Sequence, residues 1–313
     1  MANEVLDCVI SKDPTWHFAY HYVRKHFDVP SHIYRLLKAG WMGEAQPMDY
    51  VKILGFSRLN PSCLIQAAEL SGAEMVKGRG AVERAITFLG TRFSSVVLGI
   101  HLYTSLFLRK KPPLGWRSFL EEMINTVELG YRFGAHASLL GTEAGALIGF
   151  ASHSGLGILM ATDKERYKEY MSLRRTKPKI APKDEIECFG CELYQLSTLV
   201  LQQLGYGMDF AMGVALASGR LDDFELNVGK QAYVYEAAAK WIVALKDGKN
   251  YPADLKHRQM FGELKPPGPG VDRNQRLEVL YTEVGKLKAH PSQWVWHLPK
   301  PDYDLTRDMF RLQ

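Results

Sequence analysis

The sequence predicts an all-α protein, and three observations lead to that prediction. Apolar residues recur at spacings of three and four along several segments, which places them on one face of a helix. Alternating strand patterns bounded by Asn-Gly or Asp-Gly turns are scarce. Proline and glycine cluster at residues 111–115 and 265–270, and these two breaks separate long segments that have helical patterns.

Composition limits the class of protein further. The chain has 313 residues, of which 46% are hydrophobic and 23% are charged. These are values of an ordinary globular protein, and they exclude disordered, collagen-like and coiled-coil classes. A chain of this length can form about two domains and bury a substantial core.

Individual helices follow from the apolar spacing in chain order. Residues 96–108 are nearly uncharged, and at 13 residues they are too short for a membrane span, which needs roughly 20, so they predict a buried helix. Four further helices are predicted where apolar residues share one face. These faces are formed by Leu120, Met123, Ile124, Val127 and Tyr131; by Leu193, Leu196, Val200 and Leu204; by Ala237, Ala238, Trp241, Ile242 and Leu245; and by Leu277, Leu280, Val284 and Leu287.

The two proline-containing breaks predict the domain organisation. The KPPLG sequence at 111–115 cannot be helix interior, because proline lacks an N–H and clashes with the preceding turn. We therefore predict an N-terminal helical segment at 1–27, a first helical subdomain at 28–110, a second at 116–247 and a C-terminal extension at 248–313. The extension ends in an aromatic tail that contains Trp294 and Trp296, which predicts either docking on the protein's own surface or contact with a partner, including a second copy.

Charge and cysteine content give expectations about partners and location. The net charge of +5 is spread over short runs and forms no dense basic stripe, so nucleic-acid binding is not expected. Four cysteines in 313 residues make no disulfide framework. With no visible signal peptide or membrane span, we expect a cytoplasmic protein.

Four segments, in the right order, resemble the HDOD family, the non-catalytic branch of the HD phosphohydrolase superfamily. Residues 60–71 (NPSCLIQAAELS) are similar to the family's DPxLxxxLLxxANSA, and residues 82–90 (VERAITFLG) to SIxxAIxxLG. Residues 148–155 (IGFASHSG) resemble AGLLHDIG, and residues 187–207 resemble ExxxFGxxHAxVGxxLLxxWGLP. The resemblance covers about 28–220 and implies a bundle of helices and a role in bacterial signal transduction.

The resemblance also indicates which residues stand where HD phosphohydrolases hold a divalent ion. These positions form a vestigial pocket of Glu122 or Met123, Ser152, His153, Leu193, Ala217 and Ser218. Since leucine and alanine offer no lone pair, the set falls short of the three or four ligands that a catalytic metal needs. We therefore expect no metal, no cofactor and no phosphohydrolase activity, and we expect Leu193 to be a core residue in a pocket filled by ordinary packing.

Three functions stay open at this point. The first is a non-catalytic regulatory protein that acts on a protein partner in a signalling pathway, with a second copy of this chain as one alternative for the partner. The second is an active metal-dependent phosphohydrolase whose ligands the alignment misplaces. The third is a sensor that binds a nucleotide or cyclic dinucleotide in the vestigial pocket.

Two local motifs are weaker. Cys188 and Cys191 form a CxxC motif that lacks a second ligand pair, so packing is preferred over zinc or redox chemistry. His17 and His21 share a helix face at i and i+4 but lack the glutamate of a metalloprotease motif.

Overall fold

The computed structural model describes Val9 and residues 13–294, except 58, 76, 77, 79, 178, 222–227, 266–273, 291 and 293. The described residues form fifteen α-helices and one short 3-10 helix, with no strand among them, which confirms the all-α prediction. In chain order the α-helices are α1 (Pro14–His26), α2 (Ser31–Met42), α3 (Pro47–Phe56), α4 (Ser62–Leu70), α5 (Ala81–Leu89), α6 (Thr91–Arg109), α7 (Trp116–His136), α8 (Thr142–Thr162), α9 (Lys164–Thr176), α10 (Pro182–Phe189), α11 (Leu193–Gln203), α12 (Met208–Leu216), α13 (Lys230–Lys246), α14 (Leu255–Gln259) and α15 (Gln275–Ala289).

Helix α8 is the centre of the molecule. Most of its residues are buried, and it packs against α1, α6, α7, α9, α11 and α13. By length and composition it is also the one described helix that could cross a membrane, while most of its surface is buried inside the protein. The segment 96–108 forms part of the buried helix α6, as predicted.

The contact between α7 and α8 is the most extensive between any two described helices, and glycine makes it possible. A Cβ atom on Gly130 would lie 2.0 Å from the carbonyl oxygen of Gly145, and one on Gly149 would lie 2.1 Å from that of Thr126. These antiparallel helices therefore touch through their backbones. The same register places residue 122 opposite residue 153, so the glycine contacts position the two helices that carry the predicted pocket.

A single hydrophobic core runs through both predicted subdomains. The 111–115 sequence separates α6 from α7 as predicted, but the helices on either side of it share this core. The described part of the C-terminal extension also packs on α7: His136 Nε2 lies 3.2 Å from Glu283 Oε2, and Ser138 donates to Glu263. The subdomain boundaries themselves stay a prediction.

Candidate ligand-binding cavity

A cavity of about 1180 Å³, open to solvent, lies where α7, α8 and α13 meet α9–α12. Six of the seven residues predicted for the vestigial pocket line it: Glu122, Ser152, His153, Leu193, Ala217 and Ser218. The seventh, Met123, is fully buried in the core instead. Of the two residues that the sequence left as alternatives, Glu122 is therefore the one that lines the cavity.

The expectation of solid packing at this place is wrong. Leu193 is half-buried: it packs against the core and also lines the cavity wall, so the expectation of a core residue holds only in part. Its position follows from the start of α11, where Gly155 of α8 approaches the Leu193 backbone and donates its N–H to Ser197 Oγ at 3.0 Å. This close approach fixes the first turn of α11 at the edge of the cavity rather than beneath it.

Three side chains from three helices meet at one end of the cavity. The ammonium of Lys246, in the last turn of α13, donates to Glu122 Oε1 at 2.7 Å and to His153 Nε2 at 3.1 Å. Glu122 Oε1 and His153 Nε2 are themselves 3.5 Å apart. We call these residues the Lys246 cluster. Glu122 and His153 are among the residues predicted from the sequence; Lys246 is not, because it lies outside the segment that the resemblance covers.

His153 is buried, and its hydrogen bonds assign it the neutral form. Ser152 Oγ lies 2.7 Å from the Gly149 carbonyl oxygen, to which it donates, and 2.8 Å from His153 Nδ1. Nδ1 therefore carries the ring proton and Nε2 accepts from Lys246. Burial lowers the pKa of His153, and the Lys246 charge acts in the same direction; the Glu122 carboxylate opposes them, but the net shift is downward and agrees with this assignment.

Glu122 is the charged partner of the lysine. Contact with His153 and the ammonium of Lys246 lowers the pKa of the Glu122 carboxyl to about 2, despite partial burial. The carboxyl is therefore ionised at neutral pH. The cluster thus combines a carboxylate, an ammonium and a neutral imidazole.

The cavity wall carries an excess of positive charge. Its lining includes six lysines and arginines and only two glutamates. The basic residues are Lys168, Arg174, Arg175, Lys177, Arg220 and Lys246. The short basic runs in the sequence gave an argument only against nucleic-acid binding, and part of one such run, at 174–179, faces the cavity.

These basic residues differ in how strongly the protein itself binds them. Arg220 donates to Glu185 at 3.1 Å and also to Glu192, so its charge is engaged within the wall. Lys177 pairs with Asp184 at 2.5 Å. Arg174 and Arg175, at the exposed end of α9, form no ion pair with any residue that the structure describes. The two α9 arginines are thus available to a ligand.

Aromatic side chains and hydroxyl groups complete the lining. Phe119 packs edge-on against the His153 ring, with centroids 5.9 Å apart. Tyr167, Tyr170 and Tyr194 contribute aromatic surface from α9 and α11. Burial raises the pKa of Tyr170 to about 12, so its hydroxyl stays protonated. A flat ring system and an anionic group can therefore both find partners in this cavity.

The residues present do not fit the divalent ion that the HD resemblance would imply. The cluster has two donor side chains, and the Lys246 ammonium is hydrogen-bonded to both. Over the described ranges, no group of three or more His, Cys, Asp and Glu side chains is placed to hold a metal ion. A catalytic site requires at least three protein ligands.

The other candidate residues lie away from the cavity. Cys188 and Cys191 are buried free cysteines, and burial raises the pKa of Cys191 to about 12. The ring of Trp294 packs on Phe93 and Tyr131, with centroid distances of 6.3 and 4.9 Å. This residue of the tail therefore docks on the protein's own surface, which is the first of the two predicted alternatives. Trp296 lies outside the described residues, and a partner contact by either tryptophan stays a prediction.

No protein-family model, curated protein or solved structure matches the chain. The HDOD resemblance therefore depends on its four sequence segments alone.

Proposed function

We propose that this chain is a non-catalytic, HDOD-type regulatory protein of bacterial signal transduction, and that its cavity binds a small phosphorylated ligand of the nucleotide class. The observation that carries the proposal is that Arg174 and Arg175 line a cavity of about 1180 Å³ and form no ion pair with any residue that the structure describes. Of the three functions that the sequence leaves open, this combines the regulatory protein with the nucleotide sensor.

Size and shape support a ligand as large as a dinucleotide. Small-molecule sites usually occupy roughly 300–1,000 Å³, and this open cavity of about 1180 Å³ is somewhat larger than that range. Such sites combine apolar and aromatic walls with a few polar groups that orient the ligand. Phe119 and Tyr194 supply aromatic walls in this cavity, and the serines at 152, 197 and 218 supply hydroxyl groups.

Charge supports a phosphorylated ligand in particular. Arginine binds phosphate oxygens with paired N–H groups, and each hydrogen bond to a charged group contributes about 1.5–3 kcal/mol when it is well formed. The α9 arginines have no acidic partner among the described residues, so a phosphate would not have to displace one.

Helix α9 offers a route from ligand to partner. Tyr170 is its only fully buried residue, Tyr167, Met171 and Leu173 are partly buried against the core, and its other residues are exposed. Elements with few buried contacts move at the lowest cost in free energy. A phosphate held by the α9 arginines would restrain this helix and change the surface that a partner protein meets.

The proposal that the protein is non-catalytic is supported by the Lys246 cluster. Hydrolysis of a phosphate ester by an HD enzyme needs a metal-bound water, and metal binding would require the ammonium to leave both donors. Elemental analysis of the purified protein tests this part, since stoichiometric iron, manganese or zinc would contradict it.

Ligand binding can be tested by thermal unfolding of the full chain in EDTA. The panel consists of ATP, GTP, cyclic di-GMP, cyclic di-AMP, pyrophosphate and inorganic phosphate. A ligand that binds only the folded state raises Tm, by an amount that grows with its concentration relative to Kd. We expect at least one phosphorylated compound to do so.

The matched variants locate the binding site. Replacing the α9 arginines together (Arg174→Ala with Arg175→Ala) should weaken that ligand by about 10- to 100-fold, since two exposed charged contacts are lost. Lys183→Ala removes one exposed positive charge outside the cavity and should leave affinity unchanged. If no compound raises Tm, or if all variants respond alike, the proposed ligand site is wrong.

A further inference from the structure

We infer that Lys246 is the resident cation of the cavity: its ammonium takes the place of a divalent ion between Glu122 and His153, and it binds the phosphate of the ligand directly. The first part of this inference concerns the protein alone. The second part rests on the proposed function, and the experiment below separates the two.

The spacing of the two donor atoms supports the first part. A tetrahedral metal that binds an oxygen and a nitrogen at about 2.1 Å holds them about 3.4 Å apart. Glu122 Oε1 and His153 Nε2 are 3.5 Å apart. The pair thus has the separation of two ligands to one ion.

The ammonium lies where it can replace that ion. An N–H donor stands 2.7–3.2 Å from its acceptor, compared with about 2.1 Å for a metal, because a hydrogen lies between the two atoms. Lys246 Nζ meets Glu122 Oε1 and His153 Nε2 at 2.7 and 3.1 Å. One positive charge therefore satisfies both the carboxylate and the lone pair of the neutral imidazole.

The surroundings of His153 support the same interpretation. In metal sites the second ring nitrogen is usually held by a hydrogen bond that fixes the tautomer and aims the lone pair. Ser152 Oγ does this for Nδ1 at 2.8 Å, and the lone pair of Nε2 faces the ammonium. His153 is thus oriented as a ligand, but its partner is a lysine.

The ammonium also has capacity for a ligand. It carries three N–H groups, of which two are directed at Glu122 and His153. The side chain is 36% exposed and lines the cavity. The third N–H can therefore reach a phosphate oxygen, as the metal ion would in an enzyme of the superfamily.

An ordinary surface ion pair is the alternative explanation, and it makes different predictions. Such a pair contributes about 0–1 kcal/mol to stability and has no effect on metal or anion binding. Measurements of stability alone would not distinguish the two. Metal and anion binding do.

The test replaces the lysine with a metal ligand. Histidine is shorter than lysine by roughly the 2 Å of a metal–nitrogen bond, so the ring in Lys246→His would bind an ion lying where the ammonium lies. Lys246→Glu offers a carboxylate as a second, independent ligand. Lys246→Met is the control, because it has similar length but neither charge nor a strong donor. Circular dichroism establishes that each variant is folded.

Cobalt(II) is the probe, since its visible absorption reports both binding and coordination. We expect Lys246→His or Lys246→Glu to bind one equivalent about 100-fold more tightly than the wild type, and a further His153→Ala to abolish the gain. Wild-type protein that binds cobalt as tightly as these variants would overturn the inference. So would folded Lys246→His and Lys246→Glu variants that both gain nothing.

Pyrophosphate is the probe for the second part. In wild-type protein we expect its Kd to be the same with and without EDTA, and Lys246→Met should raise the Kd about tenfold. Equal binding by wild type and Lys246→Met would refute the anion-binding role while the proposed function stands. If neither pyrophosphate nor any nucleotide binds the wild type, the proposed function fails, and cobalt still decides whether Lys246 replaces an ion.

Discussion

The register between α7 and α8 positions Glu122 against His153, and Gly149→Ala tests it. Gly149 lies one helical turn before His153 on the face that meets α7. A Cβ atom there would stand 2.1 Å from the Thr126 carbonyl oxygen and 2.7 Å from its carbon. Both atoms belong to the backbone, so no side-chain rotation can relieve the contact.

The magnitude follows from two opposing effects. An ordinary contact requires about 3.4 Å, so the helices would have to separate locally by roughly 1.3 Å, and overpacking of this kind costs about 1–3 kcal/mol. Alanine in place of glycine inside a helix increases the free energy of unfolding by about 1 kcal/mol, because alanine has the higher helix propensity. Because the obstacle is backbone, we take the upper end of the cost and expect a net loss of about 2 kcal/mol in the free energy of unfolding.

Urea unfolding followed by circular dichroism measures this change. Gly285→Ala is the matched control, because Gly285 also lies in a helix and a Cβ there meets no atom within 4 Å. The control should be neutral or stabilised by up to about 1 kcal/mol. A Gly149→Ala protein that is as stable as the control would refute the close backbone contact and with it the register that forms the Lys246 cluster.

Three further predictions concern single residues. The folded-state pKa of His153 is lowered from 6.5, so the unfolded chain binds more protons below that pH and the free energy of unfolding falls as the pH drops. Urea unfolding at pH 7.5 and 5.5 should therefore show a smaller loss of stability between the two pH values for His153→Gln than for the wild type. The control His32→Gln, at an exposed histidine, should lose as much as the wild type. Trp294→Ala should destabilise the protein by about 1–2 kcal/mol through loss of its packing on Tyr131, and an unchanged unfolding curve would mean that this contact contributes nothing. Cys191 should react with a thiol reagent at pH 7.5 only as fast as the protein unfolds, because it is fully buried and its pKa is raised to about 12; rapid labelling of the folded protein would contradict its burial.

Helices could be predicted from the sequence because their signals are local. Apolar spacing located the buried faces of α7, α11 and α13, and the prolines at 112 and 113 marked the break before α7. The all-α class follows from such signals without knowledge of which helices meet.

The cavity could be predicted only in part, because a cavity depends on contacts between distant segments. The resemblance brought Glu122, His153 and Ser218 together, and in the structure all three line the same cavity. It gave no indication that Leu193 borders an open space, because an apolar helix face looks the same whether it meets a core or a cavity edge. Lys246 was missed since it follows Leu245 of a predicted buried face and resembles any lysine at a helix end.

Glycine offered a signal that could have found the register. Gly130 and Gly134 in one predicted helix and Gly145 and Gly149 in the next repeat at a spacing of four, and small residues at this spacing permit close helix contact. Pairing the two sets in an antiparallel hairpin would have placed residue 122 opposite 153. The basic part of the cavity lining also had a signal in the sequence, namely the adjacent arginines at 174 and 175.

The most direct test of the central claim is anomalous diffraction from crystals of the wild-type protein soaked with manganese and pyrophosphate. We expect phosphate density within hydrogen-bond distance of Lys246 Nζ and no anomalous peak between Glu122 and His153. A manganese peak about 2.2 Å from His153 Nε2, with the lysine displaced, would contradict the claim.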